Sequence, residues 1–146
     1  MVFRTLALIS LLCVAVGACT EKPFQPPSYG LNDGAQVLIT IAADSYAPGT
    51  RVELAVDNRS DVEYVWNPCL RTLERNSPAG WVPAQEGERI CTLEGWVLGP
   101  DERTDAATDL PPSLPPGEYR LRYGFGRVAG EYSVSDQQVS NSFRVM

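Results

Sequence analysis

No histidine occurs anywhere in the 146-residue chain. Serine–histidine triads, histidine general bases and imidazole metal sites are all closed to it. The groups left with chemical reach are carboxylates and cysteines. Glu86/Glu88 and Asp101/Glu102 are close enough in sequence for paired acid–base work. Both pairs lie in polar, loop-like runs, where solvated surface charge is the expected role. Glu94, Asp101, Glu102, Asp105 and Asp109 crowd into one connection and offer oxygens of the kind calcium takes. Their spacing fits no EF-hand loop, so no metal is expected. Gly124, Gly126 and Gly130 make no phosphate loop, because no strand-to-helix context and no lysine follow them. The expectation is a protein with no catalytic residues and no cofactor.

Four cysteines are present. Cys69 and Cys91 offer at most half a zinc site, and no Cys-x-x-Cys occurs. In an oxidising compartment such a pair is expected to close a structural disulfide. A bridge across roughly 22 residues contributes on the order of 3 kcal/mol in the chain-entropy model.

The N-terminus points to that compartment. Met1–Arg4 carries one positive charge, and Thr5–Val16 follows as an apolar run of about twelve residues. That is short of the roughly 20 needed to span a bilayer and suits a signal-peptide core. Cys13 falls inside it. Val16-Gly17-Ala18-Cys19 then resembles a lipobox, with Val where Leu is commonest. By this resemblance residues 1–18 are removed and Cys19 carries the lipid. Ordinary secretion is the alternative, since Val16-x-Ala18 also suits the general signal peptidase. Each buried methylene contributes about 0.8 kcal/mol, so a multiply acylated Cys19 would stay at the membrane. Thr20 rather than Asp after the cysteine implies outer-membrane sorting if the cell is Gram-negative. The remaining 128 residues (146 minus 18) suit one domain. Their charge is −7, the full chain's −6 less the +1 of Arg4. That acidity argues against nucleic acid as a partner. Eleven of the twelve basic residues are Arg and the other is Lys22, which reads as genome composition rather than phosphate binding.

Residues 19–34 have no apolar period and hold Pro23, Pro26 and Pro27, so they read as a tether. Residues 35–146 read as the domain. QVLITIAADSY places Val37, Ile39 and Ile41 on one face of a strand. RVELAVDN puts Val52, Leu54 and Val56 inward. VEYVW offers Tyr64 and Trp66 on one face or Val62 and Val65 on the other. LRTLERN and RICTLEGWVL look extended, and Pro100–Pro112 reads as a polar connection. Tyr119, Leu121, Tyr123 and Phe125 recur at period two, and Asn141–Val145 gives a last strand. Apolar residues nowhere recur at helical spacing over three turns. About seven short strands with turns every 8–12 residues predict an all-β sandwich.

The layout VELAVDNRSDVEYVW, LRTLERNSPAGWVPA and LPPGEYRLRYGF resembles bacterial Ig-like domains of exported proteins. The matching positions are Asn58, Ser60 and Asp61; Leu73 and Glu74; Gly80, Trp81 and Val82; and Leu114, Pro116, Gly117, Tyr119 and Arg120. They cover roughly Val52–Phe125. The resemblance implies an immunoglobulin-like β-sandwich. The long Glu86–Asp109 segment with Cys91 departs from the pattern. Asn58 suits left-handed turn geometry, Gly117 suits positive φ, and Tyr119 suits a tyrosine corner. Trp66, Trp81 and Trp96 are core or contact residues; Trp96, in the least family-like stretch, is the candidate contact.

Two function classes follow. One is a non-catalytic module in the cell envelope, lipid-anchored, that binds a protein or glycan through loops or a sheet edge. The other is a proteinase inhibitor of sandwich type, to which the layout is also similar. The oligomeric state is open.

Overall fold

A computed structural model of the protein describes residues 36–127 and 134–146. Residues 1–18, Cys19, the tether 19–34 and Gly130 lie outside the described residues. Among the latter there are ten strands and no helix: β1 (Val37–Ile41), β2 (Ser45–Tyr46), β3 (Arg51–Asn58), β4 (Tyr64–Ser77), β5 (Gly80–Pro83), β6 (Trp96–Leu98), β7 (Arg103–Asp109), β8 (Gly117–Arg127), β9 (Val134–Val139) and β10 (Phe143–Val145).

The strands form two sheets. One has the order β1-β3-β7. The other runs β2-β10-β8-β4-β5, with β6 also pairing β4 and β9 also pairing β8. The first sheet follows the A-B-E order and the second the G-F-C-C′ order of an immunoglobulin-like sandwich. Period-two apolar faces meet between them. Val37, Ile39 and Ile41 of β1 and Val52, Leu54 and Val56 of β3 face Tyr64, Trp66 and Leu73 of β4 and Tyr119, Leu121, Tyr123 and Phe125 of β8; all are buried. Trp66 is the centre of the aromatic part, stacked on Phe125 at 5.6 Å and edge-on to Tyr123 at 5.3 Å.

One side of the sandwich is closed by polar stitching. Ile39 bridges Ser140, and the Asn141 side chain accepts from Ile41 N at 2.7 Å and donates to Ile41 O at 3.1 Å. The tyrosine corner forms as expected. The Tyr119 ring is fully buried and its hydroxyl donates to Pro115 O at 2.7 Å.

Four expectations change. The periodicity predicts one strand over QVLITIAADSY, but the chain breaks after Ile41 and β2 crosses to pair β10 in the other sheet. VEYVW and LRTLERN, predicted as two extended runs, are one strand, β4, interrupted by a bulge between Trp66 and Arg71. Pro100–Pro112, predicted as a connection, contains β7, whose RTDAATD lacks any large apolar residue that would mark a strand. RICTLEGWVL is strand only at Trp96–Leu98.

Two residue roles also change. Asn58 has no positive φ; that conformation falls to Asp101 (φ 53°). Asn58 instead is a buried hub. Its Nδ2 donates to Val62 O and Gly99 O, both at 2.7 Å, and its Oδ1 accepts from Ser60 N and Oγ. Gly117 likewise has no positive φ, which among the described glycines falls to Gly49 and Gly80. Gly117 lies in close approach: a Cβ there would be 3.0 Å from Arg75 Nε and 3.3 Å from Tyr119 Cε2, so those side chains would have to shift to admit one.

Two buried tyrosines make opposite predictions. Tyr119→Phe removes a made hydrogen bond and should cost about 1 kcal/mol in urea unfolding at neutral pH. The Tyr123 hydroxyl is buried with no partner, and burial pushes its phenol up to about 12. Tyr123→Phe should therefore cost nothing at neutral pH. The unfolded phenol titrates near 10, so from about pH 10 to about pH 12 only the unfolded state releases the proton and stability falls as pH rises. Tyr123→Phe should flatten that fall; an unchanged slope would contradict this environment for the hydroxyl.

Candidate functional site

The feature that departs most from a plain sandwich is the segment between β5 and β6, residues 84–95. What fixes it starts at the β4 bulge. Pro68 has no N–H to give a ladder, so pairing with β8 lapses here. Asn67 takes over locally: its Oδ1 accepts from Cys69 N at 2.8 Å and its Nδ2 donates to Thr92 O at 2.7 Å. The bulge brings Cys69 opposite Cys91, and the two are disulfide-bonded with Cα atoms 5.6 Å apart. The predicted bridge is present.

Immediately after the bulge, Arg71 turns its side chain into the interior with no exposed surface. Its guanidinium is shared three ways. Nε donates to Thr108 Oγ1 at 2.6 Å, one terminal nitrogen to Asp109 O at 2.9 Å, and the other pairs with Glu86 at 2.7 Å. The second Glu86 oxygen accepts from Leu73 N at 3.2 Å. Burial pulls the Arg71 guanidinium below its usual range, and Glu86 opposes that shift. Arg89 adds a bond from its guanidinium to Arg71 O at 2.7 Å. Glu86, expected as solvated charge, is therefore an internal partner; Glu88 is exposed, as expected.

The segment is thus fastened at Ala84 (N to Leu73 O, 2.8 Å), Glu86, Arg89, Cys91 and Thr92. Two aliphatic side chains point outward: Ile90, between Arg89 and Cys91, is fully exposed, and Leu93, just after the last anchor, is 94% exposed. Trp96, the predicted contact residue, stands on β6 opposite Trp66. It is 42% exposed and meets Trp66 edge-on at 6.2 Å. Val97 and Leu70 are also exposed. Trp66 is core. Trp81 is half-buried, with the Arg120 guanidinium 4.4 Å above its ring. Arg120 and Arg122 both pair with the buried carboxylate of Glu74, which explains two of the residues shared with Ig-like domains.

The remaining carboxylates do not converge. Glu102 accepts from Gly99 N, Asp109 faces Arg51 at 3.9 Å, and no group of three potential metal ligands occurs among the described residues. Gly124 and Gly126 lie inside β8. Sequence patterning locates the disulfide but misses the internal roles of Arg71 and Glu86 and the outward stance of Ile90 and Leu93. An Arg between apolar residues of a strand looks solvent-facing. Ile90 and Leu93 look like strand core, because nothing in RICTLEGWVL marks where pairing stops.

No family model and no curated protein matches the sequence. Among solved structures, the chain is similar to WR4, a C. elegans MSP family member, at 11% identity and a TM-score of 0.45, covering 76% of this chain and 98% of that one. It is also similar to the ASH/PapD-like domain 7 of human CEP192, at 15% identity and a TM-score of 0.39, covering 98% of each chain. Likeness at this level is one of architecture.

Removing Glu86 strands a buried guanidinium. Glu86→Ala should cost about 3–5 kcal/mol, and Arg71→Met with Glu86→Leu together should cost less than Glu86→Ala alone. Urea unfolding of the three proteins checks this. Equal stability of Glu86→Ala and the parent would contradict the pair's role.

Proposed function

We infer that the protein is a non-catalytic binding module of the cell envelope. It is held at a membrane by a lipid on Cys19, spaced from it by the tether over 19–34, and engages a protein partner through the stapled segment 84–95. One observation carries the binding surface: a segment fastened at five points projects Ile90 and Leu93 into solvent beside Trp96. Fixing apolar side chains outward is unfavourable in isolation and becomes favourable when a partner covers them. Anchoring lowers the ordering cost of binding, which raises affinity without new contacts. Aliphatic side chains without clustered polar groups favour a protein over a glycan. The anchor rests on Val16-Gly17-Ala18-Cys19, the apolar run before it, and the tether after it.

The same segment supports a second reading, a proteinase inhibitor. An exposed aliphatic residue next to a disulfide, on a loop with fixed ends, suits insertion into a protease cleft, and Ile90 beside Cys91 has that arrangement. The two readings separate cleanly. An inhibitor blunts a protease panel at stoichiometric ratio, whereas an envelope module leaves it untouched and cross-links to a membrane neighbour.

Ile90→Asp with Leu93→Asp should change unfolding stability by no more than about 0.5 kcal/mol, as surface changes do. It should also weaken capture of the cross-linked envelope partner by roughly thirtyfold, as removing about 2 kcal/mol of hot-spot energy does. Trp96→Ala should weaken capture too while losing its edge contact with Trp66. Unchanged capture in both variants would rule out this surface. Intact mass of the protein from its native membrane tests the anchor: loss of residues 1–18 plus acyl chains is expected, and an unacylated mass beginning at Cys19 would refute it.

A further inference from the structure

Among the described residues the first sheet ends at β7, and one side of that strand has no partner strand. Leu110 N bonds Thr50 O and Asn58 N bonds Glu102 O, both at 2.9 Å, which sets the phase of the β3–β7 ladder. Thr104, Ala106 and Thr108 therefore direct their backbone groups toward β3, and Arg103, Asp105, Ala107 and Asp109 direct theirs to the open edge. Among the described residues only the Asp109 carbonyl finds a partner there, Arg71, and a carbonyl can accept a second bond. The edge borders an open groove of about 1150 Å³ that Pro68, Glu88, Ile90 and Trp96 also line. The outward backbone donors and acceptors of Arg103, Asp105 and Ala107 thus have no partner among the described residues.

We propose that β7 pairs antiparallel with β7 of a second copy of this chain. The strand is complementary to its own reverse in one register. Placing Ala106 opposite itself sets Arg103 opposite Asp109 of the second copy, Thr104 opposite Thr108, and Asp105 opposite Ala107. All four outward-facing residues then occupy hydrogen-bonded positions. The Arg–Asp and Thr–Thr pairs are favourable cross-strand neighbours. The small side chains of Ala106 and Ala107 lie at the two-fold axis, where bulk would keep the strands apart. Shifting by two residues in either direction places Asp105 opposite Asp105, or Asp105 opposite Asp109, so like charges disfavour both alternatives. Within each copy Arg103 lies across from Asp57 and Asp109 across from Arg51. Pairing extends these into a ladder of alternating charge, Asp57–Arg103–Asp109–Arg51, running through both copies. One element opposes it: the two Asp105 carboxylates become diagonal neighbours at the axis. The interface is isologous and buries the open edge of the first sheet in both copies.

Cysteine cross-linking of the full chain in its own membrane, with a mild copper oxidant, tests the register. Ala106→Cys should give a disulfide-linked dimer, because non-hydrogen-bonded antiparallel pairs bring Cα atoms within disulfide reach. Thr104→Cys should not, since Thr104 faces Thr108 rather than itself. Adding Ala107→Pro to Ala106→Cys removes an outward N–H without touching the β3 ladder and should abolish the dimer at unchanged melting temperature. Asp105→Asn should raise the cross-linked fraction whether or not Ala107→Pro proves stable. Cross-linking of Ala106→Cys no greater than that of Thr104→Cys overturns the proposal. So does cross-linking that persists with Ala107→Pro in a folded protein, or that Asp105→Asn leaves unchanged.

Discussion

A guanidinium with no exposed surface must exchange its water for protein acceptors, and the position of Arg71 organises the half of the molecule around the bulge. Desolvating an ion costs several kcal/mol, and a single carboxylate rarely offsets that. Arg71 meets the demand with acceptors from three places: Glu86 in the stapled segment, and Thr108 Oγ1 and the Asp109 carbonyl at the end of β7. One side chain on the second sheet thereby holds the edge strand of the first and the segment outside both. On the opposite side of the sandwich, Asn141 clasps Ile41 and Ser140 bridges Ile39. The two sheets are tied by polar contacts at both margins, with the aromatic core around Trp66 between them.

The bulge makes this possible. Pro68 interrupts the ladder, Asn67 satisfies the local backbone, and the extra residues turn Cys69 toward Cys91 and Arg71 inward. The disulfide and the ion pair then act on the same segment from its two ends. The bridge restrains the unfolded chain, by about 3 kcal/mol for a loop of this length. The ion pair acts only in the folded state. Together they fix a stretch that has no strand pairing of its own, and the outward stance of Ile90 and Leu93 follows from that fixing.

What the sequence makes legible is the part governed by periodicity. The alternating faces of β3 and β8 and the Tyr119 corner can be read directly, because one face is apolar and register leaves no choice. The disulfide is legible from compartment and elimination. Strand β7 is not, since Thr and Ala fill its inward positions and carry no hydropathy signal. Glu86 is not, since its partner lies fifteen residues away and only tertiary packing makes Arg71 internal. Asn58 is legible as a special position but not in its role, because one of its side-chain bonds reaches Gly99, 41 residues along the chain and three strands later. The candidate surface was therefore half visible: Trp96 stands out by residue type, whereas Ile90 and Leu93 are identified only by where pairing stops.

Segment 84–95 is a fixed surface rather than a flexible loop. Backbone amide order parameters for Glu86–Gly95 test it most directly. Values near those of the strands, above about 0.8, are predicted for the oxidised protein, with a fall when the Cys69–Cys91 bridge is reduced. Values below about 0.6 with the disulfide intact would contradict the claim.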